Sequence, residues 1–178
     1  VDRINTYNPN WPIPKLFQLK KNNKINLDIF SGSTINTPSM MCVEDFLDVL
    51  IWSEEIGGVE ELIRRSEDNL NIIKDWVSLS TWAGFLCEDF NNLSNTSICL
   101  KIIDSRLNTK PIETKNIIEK NIIKLLEENN VAFDIGSYRS APPGLRIWGG
   151  PTVENDDIKK LLPWLDWAYD KSLSDLDI

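Results

Sequence analysis

Histidine is absent from the 178 residues. That gap excludes histidine general bases, serine–histidine triads and histidine-ligated metal sites. Cysteine is scarce, and Cys42, Cys87 and Cys99 are odd in number with no metal-type spacing. They suit unpaired thiols in a reducing, cytoplasmic setting. Cys99 falls in the apolar run Ser97–Ile103 and is expected to be a small core residue. No stretch approaches the roughly 20 apolar residues of a membrane span, and no secretory signal opens the chain. Basic charge is also short, with 19 Lys and Arg against 27 Asp and Glu and a net charge of −8. The chain therefore lacks the positive field that nucleic acid or an acidic membrane would need. A small anion held by a local pair of arginines stays compatible with that balance. No glycine-rich nucleotide loop occurs, and no lysine sits in the apolar surroundings of a desolvated nucleophile.

What is present is enough for a substantial core, with 42% hydrophobic residues and seven tryptophans. Residues 8–38 read as irregular because Pro9, Pro12 and Pro14 break any helix, and Lys20–Lys24 reads as an exposed hairpin tip. A helix is expected from Thr37 as N-cap and Pro38 as first residue, with Val43, Phe46, Leu47, Leu50 and Ile51 as its apolar stripe. Gly57-Gly58 ends it. A second helix of about 20 residues follows, carrying Val59, Leu62, Ile63, Leu70, Ile73 and Val77 on one face. Its length suits a connector, and the domain boundary is placed near Gly57.

Beyond it, Trp82–Leu86 and Thr96–Asp104 read as strands and Pro111–Asn129 as a helix. Val131–Ile135 and Gly144–Trp148 are short strand candidates. Thr152–Asp170 reads as a terminal helix that Pro163 must kink or restart. The order of elements predicts an α+β fold, a sheet covered by helices. The chain starts at Val1 without methionine, as though inside an element, and is expected to be truncated.

The segment Tyr138–Pro151 carries the strongest chemical signal. Two adjacent prolines and three glycines flank Arg139 and Arg146, so the backbone follows a defined path while side chains stay sparse. Arg146 lies in the apolar strand Leu145–Trp148, where a guanidinium is costly unless an anion meets it. Its planar fork can grip a carboxylate through two parallel bonds. Two readings stand for Arg146: a bound anion, or an internal salt bridge to one of the acidic residues. For Arg139 they are an anion or plain solvation. A second feature, Gly32–Ser39, is small, polar and feeds a helix start, which suits either a phosphate or a simple cap.

Four strings in order, Tyr7–Phe17 (YNPNWPIPKLF), Ile35–Cys42 (INTPSMMC), Ser94–Lys101 (SNTSICLK) and Asp134–Trp148 (DIGSYRSAPPGLRIW), resemble the back half of class V aminotransferases dependent on pyridoxal 5'-phosphate. Within that family they resemble the phosphoserine aminotransferases, in their alphaproteobacterial form. The resemblance implies the small C-terminal domain of a fold-type I transferase over residues 58–178 and the end of the large cofactor-binding domain over 1–57. It implies an enzyme that moves an amino group between glutamate and 3-phosphohydroxypyruvate in serine biosynthesis.

Arg146 then matches the arginine that holds the substrate α-carboxylate, and Arg139 an arginine near the distal anion, with Tyr138 beside it. Asn36 and Thr37 match the pair that reaches the cofactor phosphate of a neighbouring subunit, which implies a homodimer with shared active sites. The Schiff-base lysine matches no residue of this chain, so the chain alone is expected to be inactive. Tyr138 replaces a histidine found in many members, and Ile147–Glu154 (IWGGPTVE) departs from the common form; both bear on phosphate recognition. The alternatives are another class V transaminase or a desulfurase, and a non-enzymatic α+β module in which Arg146 is salt-bridged.

Overall fold

Alternating burial along one six-residue strand organises the larger part of the molecule. A computed structural model describes residues 6, 10–22 and 24–178. It falls into two compact units, 1–52 and 53–178. The Val1–Ile4 start and Tyr7–Pro9 lie outside the described residues.

In the first unit, β1 (Lys20–Lys21) pairs antiparallel with β2 (Lys24–Ile25), the expected lysine-rich hairpin, and Lys21 meets Asp28 at 2.6 Å. Helix α1 (Met40–Glu55) follows. It starts later than Thr37: the Cys42 N–H donates to Ser39 Oγ and the Val43 N–H to the Ser39 carbonyl, so Ser39 is the cap and Pro38 precedes it. The expected stripe of Val43, Phe46, Leu47, Leu50 and Ile51 is exposed, and α1 has no buried residue. The helix is followed by Gly57 and Gly58, whose φ values of +120° and +73° suit glycine.

Helix α2 (Gly58–Leu79) buries Leu70 and Ile73. Val59 and Ile63, expected on the same buried face, are exposed. The spacing identified the face, but its buried residues begin only at Ser66, two turns into the helix. The sheet then has three antiparallel strands in the order β3 (Ala83–Phe85), β4 (Ser97–Ile102), β5 (Gly144–Trp148). Between β4 and β5 runs α3 (Ile112–Glu128), and α4 (Asn155–Ser174) closes the unit. Helix α4 runs through Pro163 as one element and does not restart.

Ile98, Leu100 and Ile102 on β4, with Leu145 and Ile147 on β5, form one cluster with Leu70 and Ile73 of α2, Ile118, Ile122 and Leu126 of α3, and Ile158 and Leu165 of α4. This is a sheet covered by helices, the α+β layer expected.

Val131–Ile135 is not a strand. Asn130 and Asp134 hold φ of +54° and +52°, left-handed conformations that no ladder residue adopts, and only Gly136 makes an isolated bridge, to Leu145. Cys99 is half-buried rather than core, because it alternates away from Ile98 and Leu100. Among the described residues, no helix is long and apolar enough to cross a membrane.

Two polar clusters tie the helices to the sheet. Asp166 of α4 accepts both indole N–H groups, from Trp76 at 3.0 Å and Trp82 at 2.8 Å, while Trp82 stacks on Tyr169 at 4.3 Å. Buried Asp104 accepts the Tyr169 hydroxyl at 2.8 Å, the Arg106 guanidinium at 2.7 Å and the Arg106 N–H at 2.8 Å. The Arg106 bonds, aided by Tyr169, hold the Asp104 carboxyl below its ordinary range, and burial beside Asp104 pushes the Tyr169 phenol up.

Gly144 is fixed by close approach: a Cβ there would lie 1.9 Å from the Leu100 carbonyl oxygen. Gly144→Ala should therefore shift the β4–β5 pairing and cost at least about 2 kcal/mol. An unchanged urea midpoint would contradict that. Asp104→Asn leaves the Tyr169 hydroxyl and Arg106 without a charged acceptor, at a cost of about 2–3 kcal/mol near neutral pH. Because the folded Asp104 is the stronger acid, its contribution is complete above the unfolded value of about 3.9 and is lost as pH falls through the lower folded value. Urea unfolding of both proteins should give a constant gap above about pH 5 and a closing gap below about pH 4. A gap that persists undiminished to about pH 2 would count against it.

Candidate functional site

Arg146 sits at the middle of β5, where Leu145 and Ile147 on either side point into the core. Period-two alternation turns Arg146 to the other face, directly opposite Cys99 of β4. Its side chain keeps 23% of its exposure. It lines an open cavity of about 470 Å³ together with Phe133, Asp134, Trp148, Val153 and Asp157, among others.

Three supports hold this cavity in shape. First, β5 folds back on the preceding loop: the Arg146 N–H donates to the Ile135 carbonyl at 2.8 Å, and Gly136 bridges Leu145. Second, Glu119 of α3 accepts both the Ser137 N–H at 3.0 Å and the Ser137 hydroxyl at 2.5 Å, fixing the backbone just before Tyr138. Third, α2 grips the turn after β5. Asn69 donates to the carbonyls of Gly149 and Val153 at 3.2 and 2.9 Å, and Arg65 reaches the Pro151 carbonyl at 2.7 Å and pairs with Glu154. Asn69 is fully buried, and its Oδ1 has no hydrogen-bond partner among the described residues.

The guanidinium itself has two neighbours. The Tyr138 ring lies under it, 4.4 Å from the ring centroid to Cζ, a cation–π contact. Asp134 meets it from the side, with Oδ2 at 3.0 Å and the carbonyl oxygen at 3.4 Å, both to Nη2. Arg146 Nε and Nη1 have no hydrogen-bond partner among the described residues.

Of the residues singled out from sequence, Arg146 and Tyr138 are thus brought into contact. Arg139 follows Tyr138 into an exposed turn, closed by the Ala141 N–H on the Tyr138 carbonyl, and makes no ion pair among the described residues. Asn36 and Thr37 belong to the first unit, exposed just before α1, with no side-chain hydrogen bond among the described residues. Sequence reasoning missed Asp134 and Glu119. Asp134 opens the string DIGSYRSAPPGLRIW, but its left-handed backbone, which brings its carboxylate to Arg146, has no signature in residue type. Glu119 looked like any solvated carboxylate on a helix face.

No family model matches the chain. It is 46% identical to the phosphoserine aminotransferase of Methanosarcina mazei over 170 residues, covering 96% of this chain and 43% of that protein. It is 47% identical to that of Methanosarcina barkeri over 171 residues, covering 95% of this chain and again 43% of the relative. The chain therefore spans less than half the length of the curated relatives it matches. Among solved structures, its fold matches a phosphoserine aminotransferase from Bacillus circulans subsp. alkalophilus at a TM-score of 0.64 and 22% identity, over 80% of this chain and 36% of that one. A phosphoserine aminotransferase structure concerned with radiation damage of the Schiff base matches equally well at 19% identity. Over nearly its whole length, then, this chain is homologous to a part of the phosphoserine aminotransferases.

Proposed function

We propose that this chain is the substrate-selecting portion of a pyridoxal-phosphate-dependent aminotransferase that moves an amino group between glutamate and 3-phosphohydroxypyruvate. The observation that carries the reading is Arg146, a guanidinium on the wall of a cavity large enough for a small amino acid and in cation–π contact with Tyr138. Arg146 binds and orients the α-carboxylate through parallel N–H bonds. Phe133, Val131 and Trp148 line the same cavity and give it an apolar part of its wall. Arg139, exposed and without an ion pair among the described residues, takes the distal phosphate or carboxylate.

Pyridoxal phosphate, when bound, supplies the electron sink for amino-group transfer. Asn36 and Thr37 fit a contact to its phosphate: both are exposed, keep free hydrogen-bonding capacity among the described residues, and precede the positive end of α1. In this reading they serve the neighbouring subunit's cofactor in a homodimer, and the 178 residues alone have no transaminase activity.

Residues 1–57 are the end of a larger cofactor-binding domain. Supporting this, α1 has no buried residue, and Phe46, Leu47, Leu50 and Ile51 on it all face solvent. A segment that apolar needs a surface outside these residues to cover it.

The competing reading, a salt-bridged binding module, has one observation in its favour, the Asp134–Arg146 pair. The Asp134 side chain is 91% exposed. An ion pair with so exposed a partner contributes at most about 1 kcal/mol, too little to account for an arginine on an apolar strand. In the full-length enzyme, Arg146→Ala should raise the KM for glutamate on the order of 100-fold, the loss of about 3 kcal/mol of binding. Steady-state kinetics with an unchanged glutamate KM would remove the assignment.

A further inference from the structure

Asp134 does more than neutralise an exposed arginine. A guanidinium grips a carboxylate with two parallel N–H bonds in only two ways, through Nε with Nη2 or through Nη1 with Nη2. Both ways use Nη2. In this structure both contacts of Nη2 go to Asp134, one to its carboxylate at 3.0 Å and one to its carbonyl at 3.4 Å. The remaining donors, Nε and Nη1, cannot make a parallel pair with each other. The Arg146 guanidinium also lies over the Tyr138 ring, with Cζ 4.4 Å from its centroid.

The Asp134 side chain has no other hydrogen bond among the described residues and is almost wholly exposed, so little resists its leaving. The backbone is what presents it: φ of +52° at residue 134, between exposed Phe133 and buried Ile135, accompanies a carboxylate turned toward β5. Asp and Asn tolerate that conformation better than other side chains.

We propose that Asp134 is a built-in carboxylate that occupies Arg146 until a substrate α-carboxylate displaces it, and that it thereby sets the affinity for the amino-acid substrate. This rests on the assignment of Arg146 to the α-carboxylate. Before substrate arrives, Asp134 holds the fork in its working orientation. Substrate binding exchanges one single-nitrogen ion pair for a two-bond grip, and Asp134 returns to water.

The test is steady-state kinetics of the full-length enzyme with glutamate as donor, comparing wild type with Asp134→Asn and Asp134→Gly, two residues that accept the left-handed backbone. Both variants should lower the glutamate KM about two- to fivefold, the scale of one exposed ion pair, with kcat unchanged. The gap from wild type should narrow between low salt and about 0.5 M salt. A KM that is unchanged or raised in both variants overturns the inference. So does an equal fall from Asp156→Asn, a carboxylate of the first turn of α4 that does not line the cavity, because the effect would then be general charge. Arg146→Lys separates the two levels. If it leaves the glutamate KM unchanged, the carboxylate assignment fails and the inference with it. If it raises KM while neither Asp134 variant lowers it, the inference alone fails.

Discussion

The close antiparallel pairing of Gly144–Trp148 with Ser97–Ile102 is the constraint on which the second unit depends. Because Gly144 has no side chain, β5 can approach the Leu100 carbonyl closely enough to complete the ladder. The ladder sets a period of two: Leu145 and Ile147 are buried in the core, and Arg146 between them turns to the other face, with Arg146 and Ile147 both lining the cavity. A slip of one residue would bury the guanidinium and expose the core. The same pairing aims the turn after β5 at α2, where Asn69 and Arg65 fix it, and sets the start of α4.

Much of this frame was legible in the residue pattern. The alternation of Ile98, Leu100 and Ile102 predicts β4, and Ile118, Ile122 and Leu126 at helical spacing predict the face of α3, since burial on one side imposes those periods directly. The unusual position of an arginine between Leu145 and Ile147 was also a readable signal. What failed did so for physical reasons. Val131–Ile135 has strand-like composition, but two left-handed residues decide its path, and Asn and Asp enter that conformation without marking it in sequence. Val59 and Ile63 have the right spacing, yet an apolar face says only that something covers it. The stripe of α1 repeats that lesson: its period is right, and no described residue of its own unit buries it.

The site follows the same division. The fork, its plane and its cavity come from β5, Tyr138 and the loop that Glu119 holds, all within residues 53–178. The acidic partner was beyond reach of sequence reasoning: the internal salt bridge is there, to Asp134, and the anion-site reading of the same guanidinium is the proposal made above. An exposed aspartate on the cavity wall is what an arginine meant for a transient carboxylate would hold between ligands. A permanent structural bridge would be expected to bury its acid, and this one leaves it in solvent.

The most direct measurement is a crystal structure of the full-length enzyme with an unreactive glutamate analogue such as α-methylglutamate. The account predicts two parallel bonds from Arg146, one of them from Nη2, to the α-carboxylate of the ligand, with Asp134 withdrawn to solvent and Tyr138 still stacked. A ligand whose α-carboxylate is held elsewhere, with Arg146 still on Asp134, would contradict it.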